Sequence, residues 1–458
     1  MLTDSLGNPV SLQDAASLGV VNDFVEGFIS CEARVANILQ VAESDLSPLV
    51  QACCAALHMF AESAQGPLNA RPYMERARTS LKSTPGVTQR EQRFVAAIAA
   101  WVEGDMAQAI RLHQEQVQEH PRDLVSLKLG QYHLFNIGDA PGMLKLALAA
   151  LPAARDVPYL HGMAAFGWEQ CHLLQQAESA ARQAIKMCEK EPWAQHALAH
   201  IMLTQGRLSE GLAFMQQVSP TWTRLNSFMV THNWWHLAVF ALELGQSDEA
   251  LRLYDQQVWG VVKDYTQDQI GAVSLLARLE LAGVDVGERW QDVAQYLLGR
   301  LNDQVLPFLD MQYLYGLARA GRSEAQTLMH NIEAFAAATA SPVQARSRRV
   351  WQEVCLPASR GLLAHAQGDY ETAVRQLSSV LPRLPEIGGS HAQRGLFEQI
   401  HLDALIRSGH WVGAQHLVQQ GLNGQAESAR LKRQAQQIYS ALGLAFSGAT
   451  GETSLLWS

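Results

Sequence analysis

Apolar residues recur along nearly the whole chain at three- and four-residue spacing, the period of a helix with one buried face. Val21, Phe24, Val25 and Phe28 make one such stripe, and Cys53, Ala56, Leu57 and Phe60 make another in a helix expected over 46–64. Gly66-Pro67 ends that helix, a third is expected from about Pro72, and Thr84-Pro85-Gly86 is a turn. Ser11 with Asp14 reads as a capping box in which Asp replaces Glu; Thr88 with Glu91 reads as another, ahead of Phe94-Val95-Ala96-Ala97. No stretch of any length alternates with the period of a strand, so the expected class is all-α.

A longer period lies on top of the helical one. Gly104 is followed by Ala109 and Pro121, and Gly368 by Ala373 and Pro385, at the same offsets. Gly245 leads to Ala250 and Tyr254, Gly409 to Ala414, and Gly138 falls 34 residues after Gly104. A glycine at an inter-helix turn, a small residue where two helices cross and a proline that stops the second helix are the marks of a tetratricopeptide unit. Such a unit cannot bury its own apolar stripe and stacks on its neighbours, giving a superhelical α-solenoid of antiparallel helix pairs. The expectation is one solenoid domain over 1–458, with N-terminal helices at 1–88, clear repeats around a central groove at 89–260, irregular helices at 261–345, C-terminal repeats at 346–447 and a frayed tail at 448–458.

Composition narrows the partners. Over 458 residues the net charge is −9, with 17% charged and 48% apolar residues. No basic cluster suits nucleic acid, and no apolar run is long enough for a bilayer. The first twenty residues carry Asp4 and Asp14 and no long apolar core, so a cytoplasmic protein is expected. Cys31, Cys53, Cys54, Cys171, Cys188 and Cys355 show no CxxC spacing and read as reduced, buried thiols. No GxSxG elbow, P-loop or GxGxxG precedes a helix.

The distinctive chemistry lies between Trp193 and Tyr254. Here stand Trp193 with His196-Ala-Leu-Ala-His200, Gly211-Leu-Ala-Phe-Met215, His232-Asn233-Trp234-Trp235-His236 and Ala250-Leu-Arg-Leu-Tyr-Asp255. Together with Gln89-Arg90-Glu91-Gln92, Gly287-Glu288-Arg289-Trp290-Gln291-Asp292 and Gly388-Gly389-Ser390-His391-Ala392-Gln393-Arg394, this resembles the tetratricopeptide repeat protein 38 family over about 20–440. The resemblance implies an all-helical repeat fold and no settled activity, so it carries no catalytic residue.

Each histidine pair is spaced i, i+4 and shares a helix face, and His232 lies 36 residues after His196, about one repeat. With Gly245 at the inter-helix turn, Trp234 falls in the inter-helix core, His232 and Trp235 on the concave wall and His236 at its border. The same register from Gly206 sends His196 and His200 to the groove and Leu198, Ala199 and Met202 to the core. Glu169 and Phe166, on the preceding leading helix, join them.

Three readings stay open. Four imidazoles, with Glu169 as an added carboxylate, suit a divalent metal such as Zn or Fe. Imidazoles between the apolar walls of Phe166 and Trp235 suit a small molecule or peptide, bound or turned over. Histidines that satisfy one another and Asn233 suit a plain protein-interaction scaffold. Lesser candidates are Asp264, Tyr265 and Asp268 reaching in from the next unit, and Gly388-Gly389-Ser390 with Arg394 as an anion cradle or simply an N-cap. Tyr132 with His133 is expected to pack within its own repeat.

Overall fold

A residue with left-handed backbone separates the two helices of each stacked pair. It is glycine at 104, 138, 206, 245, 283, 321, 368 and 409, with φ between +66° and +83°, and His172 at φ +58°. Only glycine takes this conformation without a Cβ penalty, which explains the repeat mark in the sequence. The computed structural model describes residues 2–84, 86–341 and 344–446; the tail expected at 448–458 lies outside them.

An N-terminal group comprises α1 (Leu18–Ser30), α2 (Pro48–Met59) and α3 (Gln65–Ser80). The pairs that follow are α4 (Gln89–Val102) with α5 (Met106–Glu119), α6 (Leu124–Asn136) with α7 (Ala140–Ala154), and α8 (Pro158–Gln170) with α9 (Leu174–Met187). Next come α10 (Pro192–Thr204) with α11 (Leu208–Val218), α12 (Ser227–Glu243) with α13 (Ser247–Leu253), and α14 (Thr266–Leu281) with α15 (Arg289–Leu297). Then α16 (Pro307–Arg319) pairs with α17 (Glu324–Ala337), and the short α18 (Ala345–Val350) runs through a π-turn into α19 (Leu356–Ala366), which pairs with α20 (Tyr370–Val380). The described chain ends with α21 (His391–Arg407), α22 (Trp411–Gly424) and α23 (Ala429–Ala441). This is an all-α helical solenoid.

The small residues of the repeat pattern sit where the helices cross: Ala109, Ala177, Ala250, Ala373 and Ala414 are fully buried. Thr88–Glu91 and Ser390–Gln393 are both complete capping boxes. Four expectations need correction. Ser11 and Asp14 do not form a box: Ser11 binds Glu91, while Asp14 caps a 3₁₀ turn of its own. The second helix stops at Met59, and the third starts at Gln65 with the exposed Pro72 inside it. A two-residue strand pair, Leu2–Thr3 with Pro9–Val10, is present near the start. The stretch 261–345 contains two helix pairs of the common kind, which the pattern hides because Glu288 and Gln326 stand where the small residue is expected and Ala294 and Ala325 are buried instead.

The concave side is not an open groove. Turns at Gly138 and Gly206 rest on the C-terminal segment, where an added Cβ would collide with the carbonyl oxygens of Pro385 and Gly424. Gln425 Nε2 donates to Leu203 O at 2.9 Å, the buried Arg430 Nε to Glu243 Oε1 at 2.8 Å, and Arg278 Nη2 to Ala392 O at 2.7 Å. At the other rim Asn226 N donates to Cys31 O at 2.8 Å and Ala64 N to Asp303 Oδ1 at 2.9 Å. Both ends of the chain thus cover the inner stripe of the leading helices. No helix of the described residues is long and apolar enough to cross a membrane.

Gly206 and Gly283 share a left-handed backbone, but only Gly206 has a neighbour in the way of a Cβ. Gly283→Ala is expected to cost about 1–2 kcal/mol for the backbone alone. Gly206→Ala should cost roughly 3 kcal/mol or more, because it also wedges the C-terminal segment away. Urea unfolding of the two variants side by side measures the difference; equal costs would mean that the rim contact contributes nothing.

Candidate functional site

Two caps fix the helices that carry the central histidines. Glu191 accepts from Ala194 N at the start of α10, with Pro192 in the first turn. Asn226 Oδ1 accepts from Met229 N at 2.9 Å at the start of α12. From these starts the helical period sends Leu198, Ala199 and Met202 into the inter-helix core and brings all four imidazoles to one place.

The four rings form a tight tetrad. Ring centroids are 4.5 Å apart for His196 and His200, 4.6 Å for His200 and His236, 4.8 Å for His232 and His236, and 4.9 Å from His196 to both His232 and His236. His196 Nε2 lies 3.0 Å from His200 Nε2 and 3.1 Å from His232 Nε2. All four are buried, and burial pushes each imidazole toward its neutral form, His232 down to about 3. Both nitrogens of His236 and the Nδ1 atoms of His196 and His200 have no hydrogen-bond partner. Each such orphaned buried atom costs about 1–3 kcal/mol.

Behind the tetrad lies a carboxylate. Glu169 Oε1, on α8, is 3.6 Å from His200 Nδ1 and 2.7 Å from His391 Nε2 on α21. Thr204 Oγ1 is 2.9 Å from the same His391 nitrogen. Burial acts to raise the Glu169 carboxyl, but the neighbouring His200 and His391 outweigh it and hold the group below the usual carboxylate range. It is therefore ionised, a carboxylate facing ring nitrogens of both histidines at charge-contact distance.

In front of the tetrad, on the side of His196 and His232, is a cavity of about 470 Å³. Phe28, Phe60, Phe135, Phe166, Trp193, Phe228 and Phe308 supply apolar wall from seven different segments. Polar groups are few and spread out. Tyr132 donates to Glu62 Oε1 at 2.7 Å, and burial raises the Glu62 carboxyl above its ordinary value. Lys128 Nζ is spent on the carbonyls of Phe28 and Ile29, at 2.8 and 3.1 Å. The Gly389–Gln393 end of the C-terminal segment closes one side.

Among the residues singled out from the sequence, His196, His232 and Phe166 line this cavity. His200 and His236 complete the tetrad behind them, and Glu169 stands one layer further back. Trp235 does not line the wall: it is 1% exposed, stacks on His232 at 5.4 Å and lies under the Arg278 guanidinium. Asn233 is fully buried with both side-chain atoms unpartnered and touches no imidazole nitrogen. The expected core residue Trp234 is only half-buried, edge-on to Trp222. Tyr265 reaches the cavity, whereas Asp264 is exposed and Asp268 is tied to Thr231 and Val262 N. Tyr132 lines the cavity as well; His133 is buried beside Trp101 and His113. At Gly388 and Gly389 the carbonyls accept from Arg394, and the missing side chains admit Asn136 and Phe308.

Sequence reasoning missed His391, Glu62 and most of the aromatic wall. His391 carries a local signal, since it opens the helix after the Ser390 cap, but nothing in its spacing ties it to residues about 190 positions earlier. Glu62 sits in the left-handed region at φ +49°, a position the pattern alone does not mark.

No protein-family model matches the chain. Among solved structures it is similar to "Structure of Naa15/Naa10 bound to HypK-THB", at 12% identity over 95% of this chain and 69% of that one, with a TM-score of 0.25. A superposition that loose says nothing about chemistry.

The Glu191 cap yields a pH test. Burial raises this carboxyl to about 8, so it stays protonated in the fold and ionises on unfolding above its ordinary value of 4.5. A raised carboxyl stabilises the fold at low pH and loses that contribution as pH climbs from 4.5 to about 8. Glu191→Gln keeps an acceptor for Ala194 N and should remove a slope of up to about 1.4 kcal/mol per pH unit in that window. Denaturant unfolding at a series of pH values reads the slope in both proteins.

Proposed function

We propose that the protein binds a small, mostly apolar molecule in the cavity in front of the histidine tetrad. The observation that carries this is the closure of the concave side. Aromatic walls from the N-terminal helices, the leading helices and the C-terminal segment surround a space of about 470 Å³, within the roughly 300–1,000 Å³ range of small-molecule sites. An extended peptide lying along the inner face would first have to displace the C-terminal segment, whereas a protein partner would meet the outer faces. His196 and His232, with Tyr132 and Glu62 on the opposite wall, are the polar groups that would orient a bound molecule.

We also read the chain as a member of the tetratricopeptide repeat protein 38 family. Two of the segments behind that resemblance, His196–His200 and Gly388–Arg394, come from distant parts of the chain and meet at this one centre. The rings of His200 and His391 lie 5.4 Å apart.

Filling the cavity tests the reading. With 1-anilinonaphthalene-8-sulfonate as a fluorescent apolar probe, the double variant Leu57→Trp, Val35→Trp should bind about tenfold more weakly or worse, which corresponds to roughly 1.4 kcal/mol. Both positions line the cavity. Val412→Trp, at a position 77% exposed, should leave affinity unchanged. A folded double variant with wild-type affinity would rule the cavity out as the binding place.

A further inference from the structure

We infer that the four imidazoles of His196, His200, His232 and His236 are a binding site for a divalent first-row transition-metal ion, with Glu169 orienting one ligand through His200. Imidazole nitrogens favour ions of this class, zinc, iron, copper and nickel among them. The inference goes beyond the cavity reading, which needs no ion.

Proton accounting carries it. A neutral imidazole has one N–H and one lone pair. The Glu169 carboxylate, 3.6 Å from His200 Nδ1, favours the proton on that nitrogen and leaves His200 Nε2 a lone pair. His196 Nε2 is then the donor to His200 across 3.0 Å. Yet the same His196 Nε2 faces His232 Nε2 at 3.1 Å and has no second proton to offer. If His232 is protonated at Nε2, two N–H groups confront each other; if not, one proton is shared between two lone pairs. His236 is left out altogether, with neither nitrogen partnered although the side chain is fully buried. No tautomer set satisfies the four rings by themselves. An ion that takes one lone pair from each ring removes the conflict among their facing nitrogens and gives His236 a partner, leaving His196 Nδ1 and the far nitrogen of His236 as N–H groups.

Geometry agrees. Each ring offers a nitrogen within 4.8 Å of all the others. Nitrogens placed about 2.0–2.1 Å from a tetrahedral zinc stand about 3.3 Å apart. The two separations from His196 Nε2, 3.0 and 3.1 Å, are therefore only a few tenths of an ångström too small. The remaining pairs lie within 4.8 Å, so binding needs the rings to turn toward one common point. The Glu169–His200 contact then has the form of a carboxylate holding the far nitrogen of a metal-bound imidazole. Glu169, His200 and His391 also come within 4.8 Å of one another. Their nearest pair already meets at 2.7 Å, so this group serves as the outer layer and not as a second site. His196 and His232 line the cavity, so the proposed ion site adjoins the place of the bound molecule.

The test uses the full chain, stripped with a chelator and titrated with Zn²⁺ and with Co²⁺ alone. One ion per chain, with the visible absorption of cobalt in a nitrogen-ligand field, is the expected result. His200→Ala and His236→Gln should weaken binding at least a hundredfold, and the exposed-site variant His330→Ala should not. Glu169→Gln, acting through His200, should keep the stoichiometry and weaken affinity about 10–100-fold. Circular dichroism establishes that each variant is folded, and His236→Gln keeps a polar side chain of similar length in case the alanine variants are not. Less than about a tenth of an equivalent bound to wild type would overturn the inference. So would a folded His236→Gln protein that holds zinc as tightly as wild type. Probe binding by the stripped protein reads the cavity separately, so the two proposals stand or fall on different titrations.

Discussion

The inner stripe of the leading helices has to be covered. In a stack of helix pairs each unit buries one side of its leading helix against the next pair, and the side facing the superhelix axis stays open unless something fills it. Here that stripe is made of Phe135, Phe166, Trp193, His196 and His232, residues that an open groove would leave to water. Both ends of the chain supply the cover. The N-terminal helices reach it with Phe28, Leu57 and Phe60, and the C-terminal segment reaches it with Ile387 to Gln393. What remains between them is a pocket that keeps an opening to solvent.

Coverage explains the electrostatics of the centre. Water near an imidazole would satisfy its nitrogens and leave its protonation to bulk pH. Removing the water makes the neutral form dominate, and every unpartnered nitrogen becomes a cost. The same closure brings Arg278 and Arg394 close to the tetrad, with Glu398 beside the two guanidinium groups. Burial holds both guanidinium groups down, to about 10, and raises the Glu398 carboxyl. Arg278 stays placed because its guanidinium donates to the Ala392 carbonyl and lies over the face of Trp235. Trp235 therefore acts from behind, as the floor on which His232 stacks.

Much of the fold was legible because the repeat punctuation is local. A left-handed turn needs glycine, a helix crossing needs a small residue, and both needs show at fixed offsets, as at Gly245 with Ala250. The two pairs between Thr266 and Ala337 escaped because their buried alanines, Ala294 and Ala325, have moved off that offset. The histidine faces were legible for the same reason, since i, i+4 spacing on α10 and α12 is a property of each helix alone. The register erred by one step at Trp234 and Trp235, and the cause is tertiary. Trp222, in the loop ahead of α12, offers Trp234 an edge-on partner at 4.9 Å, while Arg278 and His232 enclose Trp235 on the other side. His391, Glu62 and the pocket itself depend on where distant segments meet, and no periodicity records that.

Closure also decides between two kinds of histidine cluster. On an open wall, four imidazoles at helical spacing can each find water, and their proximity then has no consequence for one another. In a covered centre they share one set of protons. His200 joins the inner and outer layers: its Nε2 faces His196, its Nδ1 faces Glu169, and Glu169 in turn faces His391 on the helix that closes the cavity. A displacement of α21 takes away the partner that holds Glu169 in place. The centre and the cover over the cavity are in this way joined by a continuous line of contacts through His200, Glu169 and His391.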